Sequence, residues 1–248
     1  MEYQALVFVF GLLIGSFLNV CIYRLPLGQS VVQPPSHCLQ CGQRLAIIDL
    51  LPVVSYLALR GRCRHCGQAY SARYLLVELL TGCLFVWCYA LLGWSLLLIK
   101  ALLFTAFMIC ITYIDYDHRL ILDKVLVCLA GAGVIIEAFL PSLGVGSIVA
   151  GILAGGGILL LIAVVSGGGM GMGDVKFGLA LGVWLGFPQI LLLLFLAFLL
   201  GGVVGIVVLA CGLKTRKDAI PFGPFMAVAA FFSLLYGQEI IAWYLVLM

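Results

Sequence analysis

The sequence predicts an all-α polytopic membrane protein of about eight transmembrane helices, with one small zinc-ribbon-like insert between the first and the second. Three observations carry this. Hydrophobic residues make up 65% of the 248-residue chain and charged residues 9%, where a soluble domain carries about 25% charged residues. Apolar runs of roughly 20 residues recur along the whole length, the number a helix needs to cross a hydrocarbon core of about 30 Å. One polar stretch, residues 24–73, interrupts them and holds four cysteines in two C-x-x-C pairs.

The apolar runs fall at residues 3–22, 74–93, 96–115, 125–140, 144–166, 175–187, 188–211 and 222–246. In lipid the backbone must satisfy its own hydrogen bonds, so each run reads as a helix. The first has no basic stretch ahead of it and no A-x-A-like site, and is expected to remain as a membrane helix. The second follows the polar insert directly. The third ends on Asp115, and the fourth carries Glu137 toward its far end. The fifth and seventh carry no charged residue. The sixth is short for a full crossing and is expected to tilt or to sink among its neighbours. The eighth closes the chain. The domain boundaries are then residues 1–23 for the first helix, 24–73 for the insert and 74–248 for a seven-helix membrane domain, with no long-period repeat.

Threading eight spans alternately with Met1 outside puts twelve of the thirteen lysines and arginines on the cytoplasmic side, Lys100 being the exception. That asymmetry matches the positive-inside rule. The basic residues behind the net charge of +3 mostly border the spans, which points to a lipid bilayer and not to a nucleic-acid partner.

In the insert, Cys38-x-x-Cys41 and Cys63-x-x-Cys66 are each followed by glycine, with 21 residues between the pairs. This is the paired pattern of zinc ribbons. A turn whose glycine tolerates positive φ can aim two thiolates at one ion, and two such turns supply the four sulfurs that suit tetrahedral Zn²⁺. Two disulfides or a redox pair are the alternatives. A cytosolic setting disfavours stable disulfides, and an insert this thin needs a staple. With four protein ligands the ion has no open position, so its expected role is structural. His37 and His65 beside the pairs are read as neighbours and not as ligands.

Acidic residues within or at the ends of spans are costly and by default suggest function. Asp115 ends the third run and Asp174 opens the sixth, in GMGMGDVK. Asp117 and Asp123 lie close by in the first loop after the third run, and Glu78 about a turn into the second. Two carboxylates that converge can share one proton, so that one acts as base and the other as acid. Glycines ahead of Asp174, among them Gly171 and Gly173, would let an extended peptide backbone pass close to it. A juxtamembrane charge beside water is the plain alternative for each aspartate, and at this point it stays open.

At these residues the chain resembles the bacterial type IV prepilin peptidases. The likeness runs through GLLIGSFLNVCIYRLP (11–26), the paired C-x-x-C insert, SARYLLVELLTG (71–82), IDYDHRLILD (114–123), GMGMGDVKFGLALGVWLG (169–186) and IPFGPFMAVA (220–229). The resemblance implies a G-x-G-D aspartyl membrane protease that removes the basic leader of prepilins and pseudopilins, just after a glycine, at the cytoplasmic face of the inner membrane. It maps the catalytic pair onto Asp115 and Asp174, with Asp117 in reserve. It implies methylation of the new N-terminus with S-adenosylmethionine. Asp117, Asp123 and Asp218 are then the acids expected to receive a basic leader. The chain departs from the family at Asp49-Leu50-Leu51-Pro52 and at Ile121-Leu122-Asp123. No glycine-rich nucleotide motif marks the methyl-transfer site; Glu78, Asp49 and the insert are the candidates. A presenilin-like protease with other substrates and a membrane transporter are the rival readings.

Overall fold

The computed structural model describes residues 2–167, 169–212 and 220–247. Lys214, Arg216, Lys217 and Asp218 lie outside the described residues. Among the described residues the architecture is helical, and the chain divides into two compact units, Met1–Cys110 and Ile111–Met248.

The first unit holds α1 (Glu2–Arg24), a 3-10 turn (Ile47–Leu50), α2 (Val54–Ala58), α3 (Arg73–Leu92) and the first part of α4 (Leu96–His118). α1 and α3 pack through small residues. A Cβ added to Gly11 would lie 2.7 Å from Gly82 Cα, and one added to Gly15 would lie 2.7 Å from Glu78 Cα. Helices in lipid lack a hydrophobic drive to associate and gain instead from such close backbone approach. At the end of the pair nearest the insert, Asn19 donates to the Tyr74 carbonyl at 3.0 Å, and Arg24 donates to the Ser30 carbonyl at 3.0 Å.

The second unit holds the end of α4, then α5 (Asp123–Phe139), α6 (Val145–Val165), α7 (Met172–Leu185), α8 (Gln189–Ala210) and α9 (Gly223–Leu247). α7 is its core: Phe177, Leu181, Trp184 and Leu185 are fully buried. Its glycines meet those of α6, since a Cβ on Gly155 would stand 2.6 Å from the Gly178 carbonyl and one on Gly151 would stand 2.7 Å from Gly186 Cα. On the α5 side, Trp184 Nε1 donates to the Leu129 carbonyl at 2.8 Å. Glu137 has a structural task here: its carboxylate takes the N–H groups of Ser142 and Leu143, both at 3.0 Å, and the Ser142 hydroxyl at 2.7 Å. It thereby ties down the α5–α6 connection.

Each of the eight apolar runs is a helix. Six of the described helices (α1, α3, α4, α6, α8 and α9) are long and apolar enough to cross a membrane. α5, with 17 residues, and α7, with 14, are shorter. At 1.5 Å per residue α7 rises only about 21 Å, in keeping with a helix sunk among its neighbours. The protein is a multi-pass membrane protein.

Candidate active site and metal centre

Asp115 sits one turn before the end of α4 and is 5% exposed. Its Oδ2 accepts the Gly223 N–H at 3.0 Å. Gly223 is the first residue of α9, so the carboxylate lies at a helix N-terminus, where N–H groups lack intrahelical partners. Asp174 lies in the first turn of α7, half-buried, near enough to Asp115 for the two charges to interact. One aspartate comes from the end of α4 and the other from the start of α7. Among the described residues they are the acidic pair that the second unit brings together.

The helices extend further than the apolar runs. α4 continues through Tyr116, Asp117 and His118, so Asp117 is in its last turn and not in a loop. Two residues along a helix is a rotation of about 200°, which puts Asp117 on the exposed face opposite Asp115. α7 begins at Met172, so Gly173 is already helical and Gly171 is the N-cap. A Cβ on Gly171 would lie 3.3 Å from Asp174 Oδ2, and one on Gly173 would lie 3.2 Å from Ile121 Cβ. The first glycine keeps the carboxylate uncovered; the second lets α7 sit on Ile121. Asp123 opens α5 and is bound on the surface by Lys176 Nζ, at 2.9 and 2.8 Å to its two oxygens.

Gly223 was not assigned a role from sequence. The signal for it was Pro221-Phe222-Gly223-Pro224: prolines around a glycine just before an apolar run mark a helix start.

In the insert the two C-x-x-C pairs fold as copies of one turn. Cys38 N–H donates to the Gln43 carbonyl at 2.9 Å, and Cys63 N–H to the Gln68 carbonyl at 2.8 Å. Short antiparallel bridges, His37 with Arg44 and Arg62 with Ala69, close each turn. Gly42 and Gly67 adopt φ of 69° and 72°, the left-handed backbone that glycine accepts without strain. The four sulfurs lie within 4.8 Å of one another, and Cys38 Sγ is 3.8 Å from Cys66 Sγ. A tetrahedron with metal–sulfur arms of about 2.3 Å has sulfur–sulfur edges of about 3.8 Å. Backbone donors already favour thiolates. A hydrogen bond from the Cys66 backbone, with the Tyr70 side chain close by, pushes Cys63 down to about 6, and the Cys41 and Gln40 backbones lower Cys38. Cys66 moves the other way: a Gln68 backbone bond lowers it, but burial and the neighbouring thiols outweigh that and push it up to about 11. Thiolates this close repel, and a cation relieves the repulsion. The group can hold a metal ion. His37 lies outside it, with Nδ1 3.0 Å from the Pro35 carbonyl oxygen.

Of the remaining acids, Asp49 is taken up by Arg64, whose Nε and Nη2 each stand 2.8 Å from its Oδ1. Arg64 follows Cys63, so this pair fastens the second cysteine turn to the 3-10 turn. Glu78 is 8% exposed and accepts the Val53 N–H at 2.8 Å.

Comparison with known proteins bears on both halves of the chain. Residues 9–92 match the profile described as the bacterial peptidase A24 N-terminal domain, and residues 102–206 match that of the type IV leader peptidase family. Among curated relatives, a protein of Aeromonas hydrophila named prepilin leader peptidase/N-methyltransferase is 36% identical over 98% of this chain and 94% of its own length. Proteins of the same name from Pseudomonas putida and Bacillus subtilis (strain 168) are 37% and 32% identical, covering 94% and 97% of this chain and 91% and 97% of their own. No solved structure gives a significant match.

Proposed function

The chain belongs to the type IV leader peptidase family, and from that premise we propose that it is a membrane aspartyl endopeptidase with Asp115 and Asp174 as its catalytic pair. It removes the leader of prepilins and pseudopilins after a glycine, at the cytoplasmic face of the bacterial inner membrane, and methylates the new N-terminus. The observation that carries the reading is the pairing itself: a buried carboxylate on the end of α4 and a second, at the start of α7, within reach of its charge.

The geometry supports a division of labour. Like charges this close do not both ionise readily, so the pair holds one proton between them. The ionised member takes a proton from a water molecule as its oxygen attacks the scissile carbonyl carbon. The protonated member gives its proton to the carbonyl oxygen. As the resulting diol collapses, one hydroxyl gives its proton to the pair, the C–N bond breaks and the nitrogen takes a proton from the pair, which is left with one proton again. The Gly223 N–H occupies one oxygen of Asp115, which fixes the carboxylate plane and leaves the other oxygen for water. Gly171 keeps side chains away from Asp174 on the substrate's side.

The four cysteines hold a structural Zn²⁺, whose full set of protein ligands leaves it no part in hydrolysis. S-adenosylmethionine, when bound, supplies the methyl group. Segregation of the basic residues supports a cytoplasmic active face. Membership of a peptidase family weighs against a transporter, and the cysteine-paired insert weighs against a presenilin-like enzyme.

The direct test is incubation of the purified protein with a prepilin and S-adenosylmethionine, followed by mass spectrometry. The product should lack its leader and carry one added methyl group. An intact prepilin after incubation with folded protein would overturn the peptidase reading, and a cleaved but unmethylated product would overturn the methyl-transfer half.

A further inference from the structure

Exposed apolar side chains are expected where a spanning helix meets lipid. The insert carries a further set of them outside any span. In the 3-10 turn, α2 and the turn that joins them, Ile47, Ile48, Leu50, Leu51, Val54 and Leu57 all face outward, Ile47 at 86% exposure and Leu57 at 63%. The polar side chains of the same stretch face the other way. The Asp49 side chain is only 3% exposed, held by Arg64 and by the Ala46 N–H at 3.2 Å. Ser55 and Tyr56 help to line a cavity on the inner side. A domain surrounded by water turns its apolar residues in, and a cluster of apolar residues on a surface marks a binding or membrane face.

The backbone fixes where this face lies. The insert leaves the membrane at Arg24, the last residue of α1, and returns at Arg73, the first of α3, so both of its ends are tethered at one surface. Within it, the Val53 N–H donates to Glu78 at 2.8 Å. Glu78 is five residues along α3 from Arg73, a rise of about 7.5 Å. The bond therefore holds the turn before α2 at the membrane boundary and not out in the aqueous phase. Val53 makes it with a strained backbone, at φ 62° and ψ −52°, where a β-branched residue is a genuine outlier. Gly61, at φ 66°, makes room for the Tyr56 ring on the inner side, since a Cβ there would stand 2.8 Å from it.

We propose that residues 46–58 lie in the bilayer leaflet on the insert's side, with the six outward apolar side chains among the acyl chains. A helix needs about 20 residues to cross, so this stretch does not span. An interfacial segment instead buries its apolar face about 5–10 Å deep, at the boundary of headgroups and acyl chains. Charge says which lipid it meets. Arg44 precedes the stretch, and Arg60 and Arg62 follow it, all three exposed. Cations beside an apolar face favour anionic headgroups. A second copy of this chain would bring the same arginines face to face, and a basic leader would meet them as like charges. The inference is independent of the peptidase and methyl-transfer readings; it says what holds the cysteine-bearing insert against the membrane.

The test uses the full chain in liposomes of phosphatidylethanolamine and phosphatidylglycerol. The photoreactive residue p-benzoylphenylalanine is placed at position 47 and, in a second protein, at position 57. On illumination its ketone carbon bonds to a neighbouring C–H carbon, and mass spectrometry of the labelled peptide reads what stood there. Both peptides should gain the mass of one phospholipid, with phosphatidylglycerol in excess of its share of the bilayer. Arg44→Gln/Arg60→Gln should cut that excess about twofold or more. Protease resistance of the insert at the wild-type level reports an intact fold, and where one position fails that check the other decides. A folded protein whose peptide stays unlabelled faces water there. One that cross-links to a second chain, to another part of its own chain or to an added prepilin has a protein partner there. Each of these results overturns the proposal, and a phosphatidylglycerol excess unchanged in the arginine variant overturns the part given to charge.

Discussion

Asp115 Oδ2 accepts the backbone N–H of Gly223 at 3.0 Å, a contact that joins the end of α4 to the first residue of α9 across 108 positions of sequence. The contact depends on glycine, because a Cβ at 223 would lie 2.6 Å from that same oxygen. Gly223→Ala must therefore push the carboxylate aside or shift the start of α9. A misplacement near 1 Å in a catalytic group costs about 10²-fold in rate. Leader cleavage by Gly223→Ala should drop by about that factor in kcat, with KM little changed and metal content normal. Wild-type kcat in this variant would show that Gly223 does not orient Asp115.

Asp115→Asn and Asp174→Asn keep the shape of each side chain and remove the shared proton. General acid–base catalysis is typically worth about 10²–10⁴-fold, so both variants should lose nearly all cleavage. Both should still fold and keep their metal. A substrate supplied with its leader already removed should still be methylated, because that reaction needs neither carboxylate. If Asp115→Asn cuts normally and Asp117→Asn is dead, the partner of Asp174 is the exposed acid, contrary to the faces on which α4 places them. If Asp174→Asn cuts at the wild-type rate, the aspartyl mechanism fails.

The parts of this molecule that were legible in sequence are those set by local chemistry. Lipid permits only helix for an apolar run, so eight runs gave eight helices. A cysteine turn closes within six residues, Cys38 to Gln43 and Cys63 to Gln68, so the two turns themselves were legible in the C-x-x-C pairs and the glycine after each. Helix ends were less legible. α4 runs three residues past Asp115 because Tyr116, Asp117 and His118 can stay helical while facing out, and α7 starts inside the glycine stretch despite glycine's poor helix propensity. The contacts that make a site from these pieces were not legible at all. Nothing local to Asp115 announces Gly223, and nothing local to Glu78 announces a strained Val53 25 residues away.

The cysteine group leads to a prediction about metal. Purified without chelator, the protein should contain about one zinc ion per chain. Replacing Cys38 and Cys41 with serine removes half of the sulfurs and should abolish binding. The insert should then become sensitive to protease, since its fold has little apolar core to fall back on. Wild-type protein free of zinc by metal analysis, or a double-serine variant as protease-resistant as the wild type, would refute a structural metal.

Topology can be tested separately. A reporter fused after Leu213 should indicate cytoplasm, and one fused after Leu92 should indicate the outside. The opposite result at both positions would invert the threading and put the aspartates on the wrong face for a leader that stays in the cytosol.

The last prediction concerns how a basic leader is received by a face that is itself basic. Acids near the pair have to do it, and Asp123 is a candidate whose charge is already engaged by Lys176. The pair is exposed, and exposed ion pairs contribute about 0–1 kcal/mol, so Lys176 can yield Asp123 to a leader lysine at little cost. Asp123→Lys and Asp117→Lys should each raise KM for prepilin more than they lower kcat. A structural role for the Asp123–Lys176 pair would also raise KM on reversal, so the double variant Asp123→Lys/Lys176→Asp separates the two. It restores the pair with the charges exchanged. If docking needs an acid at position 123, the double variant stays as impaired as Asp123→Lys. If its KM returns to the wild-type value, the pair is a scaffold and the leader is met elsewhere, with Asp117 and Asp218 as the remaining candidates.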